Sequence, residues 1–174
     1  MSHTREAIRH EAERLLEAAG ASRSPVPLRD VVSMLNLSLV ERAQEPFSAS
    51  EAALVPLGDG HAIELYGTRG DRRRRFTIAH EVGHFVLHPG RVRAERGGLT
   101  NVASQSQERE ADLFAAELLM PEHLVRQAAF EVGADPRQLA DRFDVSVQAM
   151  TVRLARLGLA ERASDLLPPG RDIL

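Results

Sequence analysis

Apolar positions along this chain follow helical periodicity in some stretches and strand periodicity in others. Ile8, Ala12, Leu15, Leu16 and Ala19 recur at i, i+4, i+7, i+8 and i+11. That spacing predicts an amphipathic helix over residues 4–19, with Gly20 just beyond its end. Residues 28–35 predict a short helix, and residues 37–41 alternate apolar and polar as a strand does. Two further strands are predicted at 52–57 and 61–67, with Gly58-Asp59-Gly60 as the hairpin turn between them. A helix over 73–87 is stopped by Pro89-Gly90. Residues 91–102 are charged and Gly-containing, as a surface loop is. Ser104 and Gln107 fit a capping box that opens a helix running to Leu119. Pro121 starts another helix. Asp135-Pro136, an N-cap followed by proline at N1, opens the next, through Phe143. Residues 147–157 form the last predicted helix. The expected class is α+β: helices around a small antiparallel sheet.

Composition then narrows the chemistry. The 174 residues contain no Cys and no Trp, and all 22 basic residues are Arg. Disulfides, Cys-ligated zinc, iron–sulfur clusters, cysteine nucleophiles and lysine chemistry are therefore excluded. Any metal must be held by His, Asp or Glu. The formal net charge of −3 gives no global attraction to nucleic acid or to an anionic membrane. No apolar run approaches the roughly 20 residues of a membrane-spanning helix. The charged start of the chain lacks a signal-peptide core, so a cytoplasmic protein is expected.

One constellation carries chemistry. His80-Glu81-Val82-Gly83-His84 matches H-E-x-x-H. Two His four apart project from one helix face and can reach a single metal ion. Glu81 lies about 100° round the helix from His80 and about 60° from His84. It can act as a base toward water at the metal without being a ligand. Ile78, Ala79, Val82, Phe85 and Val86 form the core side, leaving His80, Glu81, His84 and His88 on the other. Gly83 costs about 1 kcal/mol against Ala inside a helix, which is tolerable where another element approaches closely.

Catalytic zinc uses three protein ligands. In the next helix the apolar stripe is Ala111, Phe114, Ala115, Leu118 and Leu119. Glu110 and Glu117 point away from it, whereas Glu108 and Asp112 share a face along its edge. A carboxylate at the border of a buried stripe is costly unless paired or metal-bound. Glu108 is therefore the expected third ligand. Asp112 is placed to accept a hydrogen bond from the free N–H of a ligating His.

Residues 75–88, RFTIAHEVGHFVLH, resemble the zinc-site helix of the ImmA/IrrE metallopeptidase family. Residues 108–121, EREADLFAAELLMP, resemble that family's second motif, E-x-x-A-[DN]-x-F-A-x-x-L-L-M-P. The motif order is also similar to that of gluzincins. The resemblance implies a zincin-like metallopeptidase core with His80, His84 and Glu108 as Zn2+ ligands and Glu81 as general base. It implies an endopeptidase that cleaves a partner repressor of the Cro/cI helix-turn-helix type, relieving repression in a stress or mobile-element response. Mn2+ or another divalent ion suits the same donors.

Residues 138–150 resemble a helix-turn-helix. From residue 134 to 162 there are five Arg against three Asp and one Glu. That net charge is thin for a DNA reader, so direct DNA binding is not expected. The expected organisation is a peptidase core over 1–132, a helix-turn-helix-like segment over 133–160 packed on it, and a loosely ordered tail over 161–174. The arginine run at 72–75 reads either as a grip for an acidic partner or as a set of ion pairs. Tyr66, His88 and His123 are candidate oxyanion donors, and the strand at 61–67 offers an edge for an extended substrate. A different class stays open: a non-catalytic, metal-stabilised regulatory or DNA/protein-binding module.

Overall fold

A computed structural model describes residues 3–42, 51–67, 70–89 and 105–159. It has seven helices and three strands among these: α1 (Arg5–Ala18), α2 (Leu28–Met34), β1 (Leu37–Arg42), β2 (Ala52–Leu57), β3 (Gly60–Tyr66), α3 (Asp71–Leu87), α4 (Gln105–Leu119), α5 (Glu122–Val132), α6 (Pro136–Phe143) and α7 (Val147–Arg156). The protein is α+β, as its periodicities indicate. Ser104, and with it the capping box, lies outside the described residues, as do the 91–102 loop and the 161–174 tail.

Local chemistry sets the helix starts. Thr4 Oγ1 accepts from the Ala7 amide at the head of α1. Asp135 accepts from the amides of Arg137 and Gln138, and Ser146 from that of Ala149. Each cap satisfies amides that a helix start leaves without partners.

The sheet is mixed rather than wholly antiparallel. Its order is β1-β3-β2, with β1 parallel and β2 antiparallel to β3. Gly58 takes φ +58 at the first central position of a two-residue turn, as such hairpins favour. The strand expected to offer a free edge, β3, is instead central and paired on both sides. Its Ala62, Ile63 and Leu65 are buried accordingly.

α4 is the hub of the helices, packing on α1 on one side and α3 on another. At the α3–α4 crossing, a Cβ on Gly83 would stand 3.1 Å from both Cα and O of Ala111 and 3.2 Å from Phe114 Cβ. A methyl group there would force the two helices apart by a few tenths of an ångström. Because α4 is enclosed on several sides, Glu110 and Glu117 are buried at 6% exposure each, contrary to the face assigned from the apolar stripe. Glu117 is compensated by a fork of hydrogen bonds from Arg153 of α7, whose Nε also donates to the Met120 carbonyl at 2.9 Å.

The arginine run is spent within the chain. Arg72 pairs with Asp141 at 2.6 Å, Arg73 with Glu51, Arg74 with Glu41, and Arg75 with Asp144 at 3.2 Å. Arg72 and Arg75 thereby tie the head of α3 to α6 and to the turn before α7.

Gly83→Ala is expected to destabilise the fold by about 1–2 kcal/mol in urea unfolding, because the backbone clash exceeds the gain in helix propensity. A more stable variant would mean that the α3–α4 approach is looser than described.

Candidate metal centre

α3 delivers His80, Glu81 and His84, and α4 delivers Glu108 and Asp112. The close approach at Gly83 brings the two sets together. His80 Nε2 and His84 Nε2 are 3.0 Å apart. Glu108 stands 3.3 Å from the first through Oε2 and 3.4 Å from the second through Oε1. A tetrahedral ion with bonds of roughly 2.0–2.1 Å separates its ligand atoms by about 3.3 Å. The three donors thus converge at the spacing one divalent ion needs, and two imidazoles with a carboxylate suit zinc or manganese. Both His side chains are 17% exposed and Glu108 46%, so the group is anchored in protein and open on one side.

Asp112 Oδ1 lies 2.8 Å from His80 Nδ1. An N–H donated there fixes the ring and its tautomer and leaves Nε2 facing the centre. Burial opposes charge on His80, but hydrogen bonds to Asp112 and Glu108 outweigh it and raise its pKa to about 10. Burial, then repulsion from His80, lowers His84 to about 4. Glu108 is held below the usual carboxylate range, chiefly by its hydrogen bond to His80.

Glu81 keeps partial solvent access but is flanked by protein. Burial raises its carboxyl from 4.5 to about 7, tempered by His80 and by a hydrogen bond from the Leu54 main chain of β2. That contact was not legible in the sequence, because it depends on where the sheet's edge strand falls.

The remaining candidates have other partners. Tyr66 donates to Glu64 at 2.9 Å. His88 is not displayed on an open face: it is 8% exposed and sits beside Glu110. His3 and Glu110 are additions that the sequence reading missed. They form, with His88, a second group of metal-capable side chains.

The fold and the cluster define a class: an α+β protein with a His/His/Glu group held between two packed helices. A family model described as the IrrE N-terminal-like domain, Peptidase M78, matches residues 42–155. The chain belongs to this ImmA/IrrE family of metallopeptidases. It is 28% identical over 88 residues to Metallopeptidase ImmA of Bacillus subtilis (strain 168), a match covering 50% of this chain and 52% of that one. The chain thus aligns with about half the length of that relative. A solved Mycobacterium tuberculosis transcriptional regulator shares the fold, with TM-score 0.60 and 17% identity, over 86% of this chain and 46% of that one. No helix among the described residues is long and apolar enough to cross a membrane.

The raised Glu81 pKa has a consequence for stability. The unfolded carboxyl ionises near 4.5 and the folded one near 7. The cost of burying it is absent below pH 4.5, grows between 4.5 and 7, and is fully present above. In chelator-stripped protein, Glu81→Gln is expected to be stabilising at pH 8 by on the order of 2–3 kcal/mol relative to its effect at pH 4. Equal urea midpoints of variant and parent at both pH values would contradict this.

Proposed function

We propose that this protein is a zinc-dependent endopeptidase, with His80, His84 and Glu108 as metal ligands and Glu81 as general base. The observation that carries the reading is a mostly buried carboxylate, Glu81, standing beside a three-donor cluster whose spacing suits one ion. A structural metal site needs no adjacent base and usually closes its fourth position with protein.

A bound divalent ion supplies Lewis acidity at the cluster, with Mn2+ an alternative to Zn2+. The chain's own residues do the rest. Glu81 accepts the proton of the attacking water and delivers it to the leaving amine. A single carboxylate held beside the cluster can serve both transfers, first as base and then as acid. The Leu54 main chain orients the Glu81 carboxylate, and Asp112 orients the His80 ring from its far side.

We assign residues 1–132 to the peptidase core and 133–160 to a helix-turn-helix-like segment docked on it. The ties Arg72–Asp141, Arg75–Asp144 and Arg153–Glu117 support docking. Arg142 pairs with Glu131 at 2.7 Å and Arg153 with Glu117, which takes two of the segment's arginines away from phosphates and argues against direct DNA binding. The family resemblance supports a cytoplasmic role, with a Cro/cI-type repressor as substrate and derepression in a stress or mobile-element response as the outcome.

The test pairs the metal-loaded protein with a repressor of that type encoded beside it, and reads fragments by mass spectrometry. Wild type is expected to cut at a defined bond. Glu81→Gln is expected to retain metal and lose about 10²–10⁴ in rate. If Glu81→Gln relieves repression as well as wild type, the protein is the non-catalytic, metal-stabilised regulatory module instead.

A further inference from the structure

A second cluster lies one helical turn beyond the first. His88, just past α3, turns its ring toward Glu110 of α4 and His3, which precedes α1. The His84 and His88 ring centres are 5.6 Å apart, and those of His3 and His88 are 5.7 Å apart. His3 Nδ1 stands 2.7 Å from Glu110 Oε2, and His88 Nε2 stands 4.0 Å from the same oxygen. One ligand atom from each of the three falls within 4.8 Å of the others.

We propose that His3, His88 and Glu110 form a second binding site for a divalent transition-metal ion. The donor set repeats that of the first cluster: two imidazoles and one carboxylate, borderline donors suited to Zn2+, Mn2+ or Co2+. Two of the three side chains are deeply buried, His88 at 5% exposure and Glu110 at 7%. Buried carboxylates and imidazoles are held in place by hydrogen bonds or by a shared cation, and the convergence of these three on one point suits a cation. The carboxylate is also oriented. Ser106 donates to its Oε1 at 3.1 Å, which leaves Oε2 for the two imidazoles, the kind of outer hydrogen bond that ligating carboxylates carry. His3 is 35% exposed and borders an open groove of about 690 Å³ lined also by Thr4, Glu6, His10 and Glu11, so one donor of the cluster faces solvent.

An ion there joins three elements. It ties the segment before α1 to the end of the helix that carries His80 and His84, and to the head of the helix that carries Glu108. The second ion is thus a brace for the two helices of the first cluster and takes no part in proton transfer.

The experiment uses the full chain, stripped with chelator and titrated with Zn2+ alone, with bound zinc counted after desalting. His3→Ala is the main variant, because His3 lies in coil and is partly exposed. Glu110→Gln is the second. Each is expected to bind one zinc fewer than wild type, with circular dichroism unchanged for His3→Ala. A His80→Ala change is expected to remove a different ion, so that adding His3→Ala to it lowers the count again. Equal zinc counts for wild type, His3→Ala and Glu110→Gln would overturn the proposal and leave the cluster an ordinary hydrogen-bonded group.

Discussion

The site depends on how closely α3 and α4 approach at Gly83. Two His on one helix can hold an ion only if a third donor comes within a few ångströms, and Glu108 belongs to a different helix. The approach is set by main-chain contact between Gly83 and Ala111, with Phe114 beneath. A side chain larger than hydrogen at 83 would push α4 outward and move Glu108 with it. Packed cores transmit such shifts with little damping. One glycine in a helix, unfavourable by itself, thus fixes the distance from His80 and His84 to Glu108.

The same packing explains the buried charges. α4 touches α1 and α3 at once, so it has no fully solvated face. Glu117 is stabilised by Arg153, and Glu110 by Ser106 and His3. Removing one partner of such a pair is more damaging than never having it, because the other charge is left buried alone. These contacts bind α7, α4 and the segment before α1 into one body around the candidate centre. The arginines at 72–75 contribute to the same end, since they reach Glu41, Glu51, Asp141 and Asp144 within the chain.

Much of this was legible from local pattern. The apolar spacing of α1, the Asp135 cap and the 58–60 turn all act within a few residues, so they can be read directly. The wheel put His80 and His84 on one face of α3 and Glu108 and Asp112 along one edge of α4, and the structure brings all four side chains together. What failed involved distant partners. The parallel pairing of β1 with β3 joins residues about 24 apart across an intervening strand, so periodicity says nothing of it. Glu110 and Glu117 were given to solvent because a wheel with one apolar stripe assumes one buried face, whereas α4 has neighbours on several. His3 and His88 belong to one cluster only because α1 and α3 both pack against α4.

The central claim is that α3 and α4 hold one divalent ion between His80, His84 and Glu108, with Glu81 beside it and unbound. The most direct measurement is anomalous diffraction at the zinc edge from crystals of zinc-loaded protein. The account predicts a peak bounded by the His80 and His84 Nε2 atoms and the Glu108 carboxylate, with Glu81 near but outside the ligand set. A zinc-loaded crystal with no peak at that point, or with Glu81 replacing Glu108 as ligand, would contradict it.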